Sequence, residues 1–182
     1  MDLSSMAGSR KKTSFTVHDI SLIALFAAVL FIQEELLTFI PNVQLTIFLL
    51  ILYSKKFGFL KTTIITIIHV VLDNLVMGSF NVIYFPSMLI GWMIIPIVTC
   101  TLIRKIDAPV ILAIAGGIFA FTYSWSFILP NFIVYHINPI AYLVSDLLFE
   151  GILAVCGFVS TLILYKPCSK LFDKLQEPNK IF

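Results

Sequence analysis

Apolar residues along this chain come in long runs: Leu36 to Ser54, Thr62 to Leu72, Asn74 to Ile103 and Ala108 to Ser145 contain no Asp, Glu, Lys or Arg. A helix that crosses a bilayer needs about 20 mainly apolar residues. With their flanks, these runs accommodate six crossings, over residues 19–37, 42–54, 58–78, 83–103, 109–129 and 138–165. The second is short, and Pro41 breaks the chain before it. Pro86 and Pro96 predict kinks in the fourth, since proline removes a backbone N–H and leaves a carbonyl to find another partner within the bundle. Asp19 is placed to cap the first helix with its side-chain oxygen. The chain then divides into an N-terminal arm (1–18), a six-helix membrane domain (19–166) and a C-terminal tail (167–182).

Composition strengthens this reading. Hydrophobic residues make up 59% of the 182 positions, charged residues 12%, and the mean hydropathy is +1.02, so a water-soluble fold would have to expose a very large apolar area. The expected class is an all-α integral membrane protein. The first apolar segment lacks a small-residue cleavage site and leads straight into another, so it is expected to stay in the membrane as a helix. Cys100, Cys156 and Cys168 form no CxxC pair and read as buried thiols, with neither a disulfide framework nor a metal site.

Charge sets the orientation. Six crossings put all 12 Lys and Arg, at 10–12, 55–61, 104–105 and 166–180, on one face. The positive-inside rule makes that face cytoplasmic, with both termini inside. The outer connections, near 34–43, 78–84 and 129–139, then carry no Lys or Arg. A five-crossing arrangement would put Lys166, Lys170, Lys174 and Lys180 outside. The basic arm suits a solvated segment near anionic headgroups, and the tail from Pro167 suits a turn or two of amphipathic helix at the surface.

Two polar groupings interrupt the apolar spans. In TIIHVVLDNLVMG, His69 and Asp73 are four residues apart on one helix face, with Asn74 beside them. Ionisable groups in lipid are costly and should turn into the bundle toward partners. They serve either a ligand or ion site, or a mutually hydrogen-bonded pair that fixes helix packing. The pair can satisfy itself locally, so a structural role is expected. Asp146 and Glu150 repeat the spacing in the last span. Like charges there repel, so one is expected to be protonated or paired, with His69 a possible partner.

Aromatic and amide residues gather at the outer ends of the spans. SFNVIYFP and FTYSWSFILPNFIVYHINP supply Asn81, Tyr84, Tyr123, Trp125, Asn131, Tyr135 and His136. An interfacial aromatic belt accounts for rings at this depth. The density of Asn and His among them favours a pocket open to the outside, in which rings pack a flat ligand and polar groups bond its edges. There is no GxxxxGK[ST] loop and no HExxH. An aspartate-rich magnesium motif is missing too, which weighs against an enzyme and against a metal or cofactor of the chain's own.

A six-span chain of this size, with its basic residues inside, no ATPase motif and an outward pocket, resembles the substrate-binding S component of energy-coupling factor (ECF) vitamin transporters. The likeness covers about residues 15 to 170. Its local marks are SLIALFAAVLF, where Ala24 and Ala28 match the small-xxx-small surface such proteins set against their coupling subunit, and the following NVQLTIFLLILYSKKFG. The resemblance is greatest to lactobacillal S components for cobalamin and its precursors. It implies a multi-pass bacterial plasma-membrane protein that captures a vitamin outside, cobalamin or a related corrinoid first among them. Delivery would follow by toppling in the membrane on a transmembrane coupling subunit driven by two ATPase subunits. S components for folate, pantothenate, riboflavin or a queuosine precursor are the alternatives. Outside this family stand a small membrane enzyme using His69, Asp73 and Asp146, and a structural subunit without a ligand. No nucleic-acid partner is expected.

Overall fold

Thr16 and Asp19 open the first helix by capping each other. Thr16 N donates to Asp19 Oδ2 at 3.0 Å and Asp19 N donates to Thr16 Oγ1 at 3.1 Å, so two backbone donors without helical partners are satisfied at once. The computed structural model describes residues 15–76 and 80–176. The basic residues 10–12 and Lys180, with most of the expected N-terminal arm, lie outside the described residues. Helix α1 (Val17–Leu37) is followed by α2 (Thr46–Val76), α3 (Phe85–Thr101), α4 (Pro109–Trp125), the short α5 (Ile128–Tyr135) and α6 (Pro139–Gln176). Among the described residues there is no strand.

Four helical stretches, Val17–Leu37, Thr46–Val76, Pro109–Tyr135 and Pro139–Lys174, are long and apolar enough to cross a membrane; α3 is apolar but shorter. Their side chains are distributed opposite to those of a water-soluble bundle. Leu25, Leu36, Val144, Leu148 and Ile163 are exposed, whereas Thr62, Thr66, His69 and Thr161 are buried. An apolar exterior around a partly polar interior suits lipid as the solvent.

Helix α2 is not one rod. Thr46 Oγ1 and His69 Nε2 both reach Glu34 Oε2, at 3.3 and 3.1 Å, although a straight helix would hold residues 46 and 69 about 35 Å apart. The chain turns back at Gly58, whose φ of 76° and ψ of −178° lie in a region open essentially to glycine alone. Two arms, 46–57 and 59–76, therefore run side by side from a common bend.

The prolines act differently from the expected kinks at one of two positions. Pro86 sits in the first turn of α3, where a backbone N–H has no helical partner to lose, so it starts the helix. Pro96 does lie inside α3. Pro167 likewise lies inside α6, which continues through the expected start of the tail. Helices α4 and α6 meet glycine against glycine: a Cβ at Gly116 would stand 3.0 Å from the Gly157 carbonyl oxygen, so any side chain there would force the backbones apart.

One end of the bundle gathers its described basic groups. Lys55 Nζ donates to the carbonyls of Ile103, Arg104 and Ile106 at 2.7, 3.0 and 2.7 Å, and pairs with Asp107 at 3.3 Å. Lys56 pairs with Asp173 at 2.5 Å, and Lys61 with Asp19. The opposite end holds the polar side chains around Glu34.

Nothing lies within 4 Å of a Cβ built on Gly58, so a substitution there acts through the backbone alone. Gly58→Ala should lower stability by about 1–3 kcal/mol, read as a lower thermal unfolding midpoint in detergent micelles. Gly151→Ala, inside α6 and equally free of contacts, should leave the midpoint unchanged or raise it. An unchanged midpoint in Gly58→Ala would rule out the backbone reversal.

Candidate ligand-binding site

Glu34 is the anchor of the end opposite the lysines. Its carboxylate accepts from Thr46 Oγ1 at 3.3 Å and from His69 Nε2 at 3.1 Å. With the Gln44 amide turned so that both of its ends are satisfied, its nitrogen donates to the two Glu34 oxygens at 2.9 and 3.2 Å. Beside it, Gln33 Nε2 donates to Thr46 Oγ1 at 2.8 Å, and Gln33 Oε1 accepts from Leu45 N at 2.7 Å. Two adjacent residues of α1 thus hold the start of α2 and, through His69, its returning arm.

This arrangement corrects the expected His69–Asp73 pair. His69 turns its Nε2 to Glu34 Oε2 and makes no hydrogen bond to Asp73 among the described residues. His69 Nδ1 and Asp73 Oδ1 are both buried without a hydrogen-bond partner among the described residues. Nor does His69 reach Asp146 or Glu150. Asp146 Oδ2 instead accepts from Ser124 Oγ and, at 3.4 Å, from Tyr142 OH, and Glu150 Oε1 is buried without a partner among the described residues.

Next to Asp73 a cavity of ≈ 510 Å³ opens between the helices. Asp73 and Asn74 from the returning arm of α2 line one side, and Asn81 and Tyr84 from the turn before α3, with Met88 from its first turn, another. Phe127, Asn131 and Tyr142 complete the lining. Local chemistry fixes its walls. Asn81 Oδ1 accepts from the backbone N–H groups of Ile83 and Tyr84, at 3.1 and 3.2 Å, and turns the chain into α3. Tyr84 OH donates to Asn131 Oδ1 at 3.0 Å, and Asn131 Nδ2 donates to the Phe127 carbonyl at 2.8 Å, which ties α3 to α5. Asn74 Nδ2 donates to the Val70 carbonyl at 2.9 Å, so its amide oxygen is left for other donors.

Of the residues expected to bind ligand, Asn81, Tyr84 and Asn131 line the cavity. Tyr123 and Tyr135 stand just behind it. The Tyr135 ring stacks on Tyr84 with centroids 5.8 Å apart; Tyr123 lies edge-on to Phe127 at 5.3 Å and stacks on Trp92 at 3.9 Å. Gly91 makes that stack possible, since a Cβ there would lie 2.7 Å from Tyr123 Cδ2. Trp125 is half exposed beside Phe121, and His136 is an exposed left-handed cap at the end of α5; neither is part of the lining. Asp73, Asn74, Met88, Phe127 and Tyr142 are the additions. The first two stood out in the sequence as polar groups in an apolar run. Met88 and Phe127 carry no such signal.

No protein-family model, no curated protein and no solved structure matches this chain. The cavity's chemistry has to be read from its own residues: rings for flat apolar faces, amides for directional hydrogen bonds, and one carboxylate with no partner among the described residues.

Removing the anchor tests the network behind the cavity. Glu34→Ala deprives His69, Thr46 and Gln44 of their acceptor together and should destabilise the protein by about 1–3 kcal/mol. Glu34→Gln keeps one acceptor oxygen and should recover part of the loss in thermal unfolding. Equal midpoints for Glu34→Ala and the parent would show that the network does not hold α1 to α2.

Proposed function

We propose that this protein is the substrate-binding membrane subunit of an ECF-type importer, and that the cavity between Asp73 and Asn131 holds its vitamin. The observation that carries this reading is the position of the cavity, at the end of the bundle opposite Lys55, Lys56 and Lys61. In this reading the chain crosses the plasma membrane six times, as α1, the two arms of α2, α3, α4 with α5, and α6. The lysine-bearing end and both termini are cytoplasmic by the positive-inside rule, so the cavity fills from outside. Toppling on a membrane coupling subunit driven by two ATPases then turns it inward. Ala24, exposed, and Ala28, half-buried, leave a low surface on α1 against which the coupling subunit's helix packs.

The cavity volume bears on the ligand. It falls within the roughly 300–1,000 Å³ of pockets that enclose drug-sized molecules, which suits a vitamin built on a single flat ring system. A corrinoid would enter edge-first and keep much of its macrocycle outside; it is the second reading, supported by the resemblance and by the rings at the cavity mouth.

Affinity purification of the tagged protein from its native membrane, followed by mass spectrometry of proteins and retained small molecules, tests the proposal. One further membrane subunit and two ATPases should co-elute, together with a ring-bearing vitamin. The double variant Ala24→Trp, Ala28→Trp should lose the protein partners and keep the vitamin. Absence of any ATPase from the parent eluate overturns the importer reading; loss of vitamin and partners together in the variant reassigns the two alanines to the protein's own fold.

A further inference from the structure

Asp73 is only 6% exposed, lines the cavity, and makes no side-chain hydrogen bond among the described residues. A carboxylate held in an apolar bundle without a donor is costly, and the groups around it do not relieve it. His69 gives its N–H to Glu34, Ser124 and Tyr142 give their hydroxyls to Asp146, and Tyr84 gives its hydroxyl to Asn131. Among the described residues no lysine or arginine lines the cavity, and those whose ion pairs are described lie at the far end. The next residue adds a second acceptor: the Asn74 amide nitrogen is committed to the Val70 carbonyl, and its oxygen is free of protein donors among the described residues. Two adjacent acceptors, a carboxyl and an amide oxygen, stand beside the rings of Tyr84, Phe127 and Tyr142.

Resting on the binding role proposed above, we infer that the ligand is a flat aromatic heterocycle carrying a cationic or N–H-rich edge, an amidine-like or amino-substituted ring, whose donors meet Asp73 and the Asn74 oxygen. The complement is geometric as well as electrostatic. Parallel N–H groups on one ring edge match a carboxylate, and a ring between Tyr and Phe side chains gains area and a cation–π term. The same lining rejects a carboxylate- or phosphate-bearing edge, which would face Asp73 with no cation between them.

A charge series on one ring tests this. Benzamidinium, benzamide and benzoate share size and shape, and their binding to the purified full-length protein in lipid nanodiscs can be followed by ligand-observed NMR. Benzamidinium should bind at least about tenfold tighter than either of the others, the scale of one charge-assisted hydrogen bond. Asp73→Asn should erase the preference. Asn81→Asp guards against a folding artefact: its carboxylate can accept the same bonds from Ile83 and Tyr84 while adding negative charge to the lining, so benzamidinium should bind several-fold tighter. Benzoate binding as well as benzamidinium, a preference that survives Asp73→Asn, or no binding by any of the three overturns the inference. Failure of the importer reading shows elsewhere: a chain that prefers benzamidinium through Asp73 yet elutes without ATPases keeps this ligand class and loses the transport role.

Discussion

A carboxylate inside an apolar helical bundle is stabilised by donors, and Glu34 recruits three from two stretches of chain. Gln44 and Thr46 come from just before and at the start of α2, and His69 from its returning arm. An apolar surrounding offers none of these donors. The carboxylate therefore acts as a strong organising contact between α1 and both arms of α2, and it requires the chain to fold back between residues 46 and 69. Only Gly58, with its positive φ and extended ψ, supplies that reversal within the otherwise helical stretch.

The same logic separates the two ends of the molecule. At one end, Lys55 is held by three carbonyls and Asp107, so the connection between α3 and α4 closes over its ammonium group. At the other, acidic and amide groups turn inward with no lysine among the described residues to meet them. The charge asymmetry legible in the sequence as a bias of Lys and Arg thus becomes an asymmetry of environment. The lysine-bearing end is cross-linked by ion pairs and its cavities are lined by basic groups, whereas the cavity at the opposite end is lined by rings, amides and Asp73.

Much of the helical architecture was legible because long apolar helices leave a one-dimensional record. The apolar runs around α1, α4 and α6 could be read directly, and Asp19 stood out at the first helix's start, although the N-cap is Thr16 and Asp19 answers it from the third helical position. The bend at Gly58 was legible only as a boundary between apolar runs, next to Lys55 and Lys56. Contacts between helices were harder. Nothing in the spacing of Gly116 and Gly157 says that they face each other, and His69 pairs with Glu34 across 35 positions, whereas the nearer candidate was Asp73. In the candidate site, Asn81, Tyr84 and Asn131 were visible as amides and rings at helix ends. Met88 and Phe127 look like any other apolar residues until the helices converge.

The pairing that local spacing favoured and the pairing that formed lead to different sites. Had His69 donated to Asp73, the returning arm of α2 would have satisfied itself, and Glu34 would have lacked one of its donors. Because His69 turns its Nε2 to Glu34, both outcomes are decided together: α1 gains its hold on the returning arm, and Asp73 keeps its acceptor capacity at the cavity wall. The hydrogen bond that organises the bundle is therefore also the reason that the cavity contains an unpaired carboxylate. The hold of α1 on the returning arm and the free acceptor at the cavity wall thus depend on one contact, that of the imidazole with Glu34 at 3.1 Å.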